Sequence, residues 1–495
     1  MLSFSLSQKF IFCILSGFLT GLSHQPLSLG FLAWFSLVPF LYSVYSFTTK
    51  RRVIIAGFLF GFTYSLTQIF WLAFNIGTSP IVAKITAIAA TLYLSIFYIL
   101  FALITYRIKI KSPWIGVWIM PLIWVAIEYI KSLGLLGFPW IVLGNSQVDY
   151  LYPIQIAEFT AVYGVSFWVM LINVGIIHWF EYRYKSTILI LAVTISTPFF
   201  IGYNLLKNQN LESSKLNVTV IQPNIHLMDK HGRSPIDNLN LIIKTSNKFI
   251  SDSTELLIWP ETAVNTFVPV DSKTEKIIKN YLNNKSYDLL TGFPESEKSK
   301  SGTRYFNSIG QFTNDGLIKS YQKIHPVPMA EHIPLSSIFP SLKKLNLGQA
   351  NWEIGNDFTI FETNEKKYSG VICYESTYPS LVRKFVNNGA EFIAVLVNDG
   401  WYETAPEPQQ HASQSIFRAI ENRRTIVRSA NTGISLIIEP SGKIINETVL
   451  NEKTGFNETI NLHVENTFYT KYGDVFSWVM LIIVFGILIS GYKRK

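Results

Sequence analysis

Charged residues are what this chain has least of. Asp, Glu, Lys and Arg make up 15% of its 495 residues, against roughly 25% in an average soluble domain. Hydrophobic residues reach 49% and aromatics 15%, so a wholly soluble fold could not cover itself with a wetted surface. Disorder and a simple cytosolic enzyme are both excluded. Cysteine is rarer still: Cys13 and Cys373 lie far apart and provide neither a disulfide framework nor a metal set. P-loop, glycine-rich dinucleotide and zinc-ligand spacings are missing, so neither a cofactor nor a metal is expected. Lys and Arg (42) outnumber Asp and Glu (33), for a net charge of +9, and the positions of those cations decide what the excess means.

What the chain has in abundance is long uncharged runs, at 10–49, 53–83, 85–106, 112–127, 159–180, 187–206 and 475–492. A spanning helix needs about 20 apolar residues to cross the hydrocarbon core. The first run is long enough for two helices and breaks at Ser23-His24-Gln25-Pro26, where proline and polar groups suit a turn. The expected count is seven spans before residue 207 and one after 474. With the N-terminus inside, the inner side holds Lys9, Lys50, Arg51, Arg52, Arg107, Lys109, Lys111, Arg183, Lys185, Lys493, Arg494 and Lys495. The outer side has only Lys84 and Lys131. That asymmetry sets the orientation: both termini fall in the cytoplasm and 207–474 lies outside. It also excludes a nucleic-acid partner, because these cations mark topology and do not form one groove-binding face. A cleaved signal peptide is the competing reading of the first run, but no small-residue cleavage site stands out and further spans follow.

From about Lys215 the texture changes to short β-rich runs alternating with polar, helix-like stretches. Expected strands are Leu216–Gln222, Glu255–Trp259, Tyr287–Thr291, Tyr305–Thr313, Leu317–Lys323, Tyr368–Cys373, Phe392–Asn398, Thr425–Ala430 and Ile434–Glu439. Expected helices are Asp237–Ile250, Ser272–Asn283, Ser380–Asn388 and Gln409–Asn422. Continuous apolar runs such as Ile393-Ala394-Val395-Leu396-Val397 read as strands buried on both faces, under covering helices. The fold class is thus a multi-pass α-helical membrane domain (1–206), an α/β extracytoplasmic domain (207–474), and a C-terminal span with a basic tail (475–495).

Three strand ends carry chemistry. One is Trp259-Pro260-Glu261-Thr262. The second runs from Tyr321 through Lys323 and His325 to Glu331, and the third is Ile372-Cys373-Tyr374-Glu375. Loops at strand ends on a rigid sheet are where reactive groups collect. A thiol near pKa 8.5 is only a few per cent ionised at neutral pH. A carboxylate can take its proton, and an ammonium can stabilise the thiolate and then an oxyanion. Glu261, Lys323 and Cys373 supply those groups. Taken singly, each has a plainer reading: a buried small hydrophobe for the cysteine and solvated strand ends for the charges.

Together, W-P-E, the Y-x-K-x-H-x-V-P-x-x-E-x-x-P string and C-Y-E, in this order, resemble the nitrilase (carbon–nitrogen hydrolase) superfamily. Their setting between seven spans and one more is similar to its membrane-bound branch, the bacterial apolipoprotein N-acyltransferase family. The resemblance implies an αββα sandwich with Glu261 as general base, Lys323 at the oxyanion and Cys373 as the acyl-accepting nucleophile. It implies Glu331 as a second glutamate steadying the triad, and Tyr374 and Glu375 as support after the nucleophile, the Tyr374 N–H completing the oxyanion hole. Asn398-Asp399-Gly400-Trp401-Tyr402 resembles the family's N-D-x-W-[FY] string, with Trp401 beside the lipid entrance. Gln410-His411 and Arg418–Arg424 resemble the helix that follows. Gly137-Phe138-Pro139-Trp140 is similar to the family's G-F-P-W loop; for Trp140 a substrate-binding role stands beside that of an interfacial anchor. Glu128 is an ionisable group at membrane depth and a further candidate. The chain departs from the family pattern at Gln222-Pro223-Asn224-Ile225, at His231 in place of a tryptophan, and at Met329-Ala330.

The resemblance implies acyl transfer by a ping-pong route. The donor is a phospholipid such as phosphatidylethanolamine, cleaved at the sn-1 ester, and the acceptor is the N-terminal amine of a diacylated lipoprotein. It implies a monomer in the bacterial inner membrane with a periplasmic catalytic domain. Two rivals differ in class. A membrane-tethered nitrilase-type amidase would release ammonia from a small amide. A transporter or scaffold should show paired mid-membrane charges or symmetric halves, and neither is evident.

Overall fold

The computed structural model describes residues 4–111, 117–208, 214–268, 271–300, 302–333, 351–402 and 406–490. The basic tail Lys493–Lys495 and the beginning of the run 112–127 lie outside the described residues, as do the side chains of Lys111 and His231.

Among the described residues, four helices are long and apolar enough to cross a membrane: Lys50–Phe74, Pro80–Ile110, Val162–Tyr182 and Lys185–Lys207. Leu6–Leu22, Gly30–Ser46 and Val475–Ser490 are shorter apolar helices, and Met120–Lys131 is helical as well. The break expected at Ser23–Pro26 separates Leu6–Leu22 from Gly30–Ser46. Pro80–Lys111 shows why these helices belong in lipid. Ile81, Ile85, Ile88, Leu92 and Ile96 form an exposed apolar stripe, while Leu94, Tyr98 and Phe101 pack inward. A helix apolar on both faces has no side suited to water.

Among the described residues, the C-terminal half has twelve strands in two six-stranded sheets. They are β1 (Ser214–Gln222), β2 (Leu256–Ile258), β3 (Asp288–Ser299), β4 (Gly302–Thr313), β5 (Gly316–Gln322), β6 (Phe361–Thr363), β7 (Lys366–Ile372), β8 (Phe392–Val397), β9 (Thr425–Ala430), β10 (Leu436–Ile438), β11 (Ile444–Glu447) and β12 (Thr454–Leu462). The first sheet runs β12-β1-β2-β3-β4-β5 and the second β11-β10-β9-β8-β7-β6. The central strands pair in parallel, β1–β2–β3 in one sheet and β7–β8–β9 in the other. The sheets meet face to face: the Ser429 hydroxyl on β9 donates to the Ile221 carbonyl on β1 at 3.0 Å. Helices Pro235–Ser246 and Ser272–Leu282 lie against the first sheet, and Pro379–Asn387 and Glu407–Asn422 against the second. This is the αββα sandwich that the motifs imply. The strand expected at Tyr287–Thr291 extends to Ser299 as one arm of a hairpin with β4. Strands β6, β11 and β12 were not among those expected. All three sit at sheet edges, where a strand needs only one apolar face or none.

The sandwich is seated on one end of the helices. The Ile76 N–H donates to the Trp401 carbonyl at 3.0 Å. The Tyr374 and Tyr378 hydroxyls both donate to the Gly137 carbonyl, at 3.1 and 2.7 Å. The Val162 N–H, opening a long helix, donates to Glu421 at 3.0 Å. Every one of these helix-linking loops was expected on the outer side. The basic groups Lys50–Arg52 begin the helix whose far end, Trp71, packs on Tyr402 at 4.5 Å between ring centroids.

Candidate active site

The carboxyl ends of β2, β5 and β7 converge. Glu261 follows β2, Lys323 follows β5 and Cys373 follows β7. Proline 260 ends the first strand, and the next turn brings Thr262 into the left-handed region at φ +47°. Gly292 on β3 allows this: a Cβ there would stand 2.5 Å from the Thr262 nitrogen and 2.7 Å from the Glu261 Cα. Cys373 itself has φ +53°, and Met329, between Lys323 and Glu331, has φ +66°. Non-glycine residues held in this region cost free energy and cluster at functional sites.

Lys323 is buried among carboxylates. Its Nζ donates to both Glu331 oxygens, at 2.9 and 2.7 Å, and stands 3.9 Å from Glu261 Oε1. Asn307 Nδ2, on β4, donates to Glu261 Oε1 at 2.8 Å and to Glu331 Oε1 at 3.4 Å. The Val327 N–H donates to Glu331 Oε2 at 2.7 Å. Glu331 therefore closes its own loop and fixes the ammonium. Burial raises the Glu261 carboxyl to about 7, with Lys323 opposing and the Glu331 charge reinforcing. Burial alone would lower the Lys323 pKa, but Glu331 and Glu261 outweigh it and hold the ammonium charged. Burial pushes the Cys373 thiol well up, Glu261 adds to that, and Lys323 pulls against it. The site thus holds a half-neutralised carboxylate, a fixed cation and a thiol whose ionisation depends on that cation. Cys373 is partly exposed, as a group that must meet a substrate has to be.

The residues after the nucleophile face elsewhere. Glu375 Oε1 accepts from the Tyr321 hydroxyl at 2.7 Å and from the Ile324 and His325 N–H groups at 2.7 and 3.0 Å, and Oε2 accepts from the Ile372 N–H at 2.8 Å. This one buried side chain ties the Lys323 loop to the strand that presents Cys373. The Tyr374 ring stacks near Trp140, 6.4 Å between centroids at 15°. Trp140 is buried, and its Nε1 donates to Gln410 Oε1 at 2.9 Å, an acceptor shared with Trp71 Nε1 at 3.2 Å. Trp401 is half-buried and lies on Gly77, where a Cβ would come within 2.6 Å of its ring. Glu128 is buried away from the triad, accepting from Trp124 Nε1 at 2.9 Å and the Leu143 N–H at 2.7 Å.

Sequence reasoning gave no role to several groups found here. Asn307, in the middle of β4, bridges the two carboxylates. Lys230 Nζ donates to Thr262 Oγ1 at 2.7 Å, beside Glu261, and burial lowers its pKa to about 8. Asp399, after β8, and His411, on helix Glu407–Asn422, stand beside Cys373, with donor atoms of all three within 4.8 Å of one another. Those donors are largely spent within the protein. Asp399 Oδ1 pairs with His411 Nδ1 at 2.9 Å and its Oδ2 with Arg428 at 2.9 Å.

Residues 16–175 match the family model described as the apolipoprotein N-acyltransferase N-terminal domain, and residues 217–464 match that described as carbon-nitrogen hydrolase. Curated relatives named apolipoprotein N-acyltransferase align along nearly the whole chain. The one from Rickettsia prowazekii is 30% identical, covering 97% of this chain and 97% of its own. That from Geobacter metallireducens is 29% identical over 99% and 96%, and that from Chlorobaculum tepidum 29% over 100% and 98%. With helices, sandwich and strand-end cluster in the same order along the chain, the protein belongs to the apolipoprotein N-acyltransferase family.

Proposed function

We propose that this protein moves a fatty acyl chain from the sn-1 position of a glycerophospholipid, such as phosphatidylethanolamine, to the N-terminal amine of a diacylglyceryl-cysteine lipoprotein. In the first half-reaction Glu261 takes the Cys373 thiol proton and the thiolate attacks the sn-1 carbonyl. A C–S bond forms while the Lys323 ammonium and the Tyr374 N–H hold the oxyanion. The C–O bond then breaks, the departing oxygen takes the proton back from Glu261, and a thioester remains on Cys373. In the second half-reaction the lipoprotein amine attacks that thioester. The C–N bond forms, the C–S bond breaks, and the amine's proton returns to the sulfur by way of Glu261. Glu331 steadies Lys323, Glu375 ties the strand ends, and Trp401 and Trp140 border the side from which acyl chains enter.

One observation carries this reading: a partly exposed cysteine in a left-handed turn beside a buried lysine and two buried glutamates, in a domain seated on apolar helices. A carboxyl near pKa 7 suits a group that must both take and return a proton. Lipid-anchored substrates meet a membrane-docked site in two dimensions, and a site shielded from water spares the thioester from hydrolysis. The same reading divides the chain into a membrane domain at 1–206, a catalytic domain at 207–474 and a final span with a tail at 475–495. It sets the catalytic domain at the periplasmic face of the inner membrane, with eight spans, both termini cytoplasmic and a monomeric enzyme.

The test is a product balance. Purified protein in phosphatidylethanolamine vesicles, given a diacylated lipopeptide, should release lysophospholipid and triacylated peptide in equal amounts. Ammonia from a small amide, with no lysophospholipid formed, would assign the site to amide hydrolysis instead.

A further inference from the structure

The backbone around the nucleophile holds a second device, on the opposite edge of the peptide that joins Cys373 to Tyr374. The Cys373 carbonyl accepts from the Ser376 hydroxyl at 2.8 Å, and His411 Nε2 lies 3.1 Å from the same oxygen. Nε2 is also 3.1 Å from Ser376 Oγ. The other ring nitrogen meets Asp399 Oδ1 at 2.9 Å, and Asp399 pairs through its second oxygen with Arg428 at 2.9 Å. His411, Asp399 and Arg428 are all buried.

A carboxylate paired with arginine can only accept, and so can a peptide carbonyl. Nδ1 therefore donates to Asp399, and Nε2 bonds the carbonyl only when it too carries a proton. Burial and the Arg428 guanidinium pull the ring pKa below its ordinary value, while Asp399 and the Cys373 carbonyl pull it up. Loss of the second proton would cost the Cys373 carbonyl its bond to the ring. Glu407, 3.7 Å from Nδ1, is pushed well above the carboxylate range by burial and by Asp399, so it does not compete for the ring as an anion.

The peptide unit is planar and trans, so its C=O and N–H point to opposite sides of one rigid plate. The carbonyl in question belongs to Cys373, and the N–H on the far edge of the same plate belongs to Tyr374. Holding the carbonyl aims that N–H, and donors on the carbonyl polarise it into a stronger donor. We propose that His411, fixed by Asp399, is a positioning residue that seats and polarises the Cys373–Tyr374 peptide so that its N–H meets the oxyanion formed on Cys373. The proposal rests on the acyl-transfer reading of Cys373 given above. It assigns the Asp399–His411 pair to transition-state stabilisation, not to proton transfer with substrate.

The experiment uses the full-length protein in detergent micelles with p-nitrophenyl butyrate, an activated ester that reports acylation of Cys373 without a lipid. Wild type, His411→Ala and His411→Gln are compared for the nitrophenolate burst across ester concentrations, together with their thermal midpoints. His411→Ala should slow the burst at saturating ester by on the order of tenfold or more, at unchanged half-saturation, since one direct oxyanion donor accounts for about a hundredfold. His411→Gln, whose amide keeps a donor near the carbonyl, should restore most of that rate. Equal bursts in wild type and His411→Ala overturn the proposal. Losses in both variants that follow lowered thermal midpoints overturn it too, as does the lack of a wild-type burst. If the ester burst behaves as expected while the wild type takes no acyl group from phospholipid, the lipid reading of the site fails and the positioning role stands.

Discussion

The two sheets of the sandwich contribute unlike things to the same site. The first sheet, through the ends of β2 and β5 and the middle of β4, delivers charge: Glu261, Lys323, Glu331 and the asparagine between them. The second, through the ends of β7 and β8, delivers a sulfur and a backbone shape. The charged half is held by ion pairs and side-chain hydrogen bonds among buried groups. The sulfur half is held by a left-handed turn and by side chains bonded to its own backbone. A buried ion cluster is intolerant of losing one member, because the remainder are left unpaired. A hydrogen-bonded turn loses one bond at a time. The two halves should therefore fail differently.

The largest effect is expected where the charged half is broken at its centre. Lys323→Ala leaves two buried carboxylates facing each other, and should cost about 3–5 kcal/mol of stability besides abolishing measurable transfer. Denaturant unfolding of the variant checks the first, and lysophospholipid release the second. Next comes the proton inventory. Glu261 must be ionised to accept the thiol proton and titrates near pH 7. Acylation should therefore rise with pH from about 6 to 8 in the wild type, because protonation disables the base. In Glu261→Gln the rate should be low throughout and lack that rise. A smaller effect follows from cutting the link between the halves. Glu375→Gln sets an amide against an N–H donor and should cost about 1–3 kcal/mol, with slower acylation because the Lys323 loop loses its tie to β7. The smallest belongs to Tyr378→Phe, which removes one of two hydroxyls on the Gly137 carbonyl. It should cost about 1 kcal/mol, read as a lower thermal midpoint, with transfer close to wild type.

The contrast also explains what could be read from the sequence. Buried central strands announce themselves as apolar runs, so β1, β2, β7, β8 and β9 were legible, as was the helical half from its uncharged stretches. Edge strands such as β12, rich in Asn, Thr and Glu, carry no such signal. On the charged half, carboxylate and lysine stood out because charge is rare beside apolar strands. Asn307 and Lys230 escaped notice because their partners are distant in sequence and only folding brings them near. On the sulfur half, Cys373 was conspicuous as one of two cysteines, but its left-handed turn and the Asp399–His411 pair are properties of three dimensions. Trp140 shows the same limit: its motif offered a substrate role or an interfacial anchor, while its burial and its bond to Gln410 come only with the fold.

The union of the two halves on one sulfur is tested most directly by intact-protein and peptide mass spectrometry after incubation with a phospholipid carrying an isotopically labelled sn-1 chain and an unlabelled sn-2 chain. The account predicts one labelled acyl group per protein, located on Cys373, removed by hydroxylamine and lost in Cys373→Ala. A label on another residue, transfer of the unlabelled chain, or turnover that continues in Cys373→Ala would contradict it.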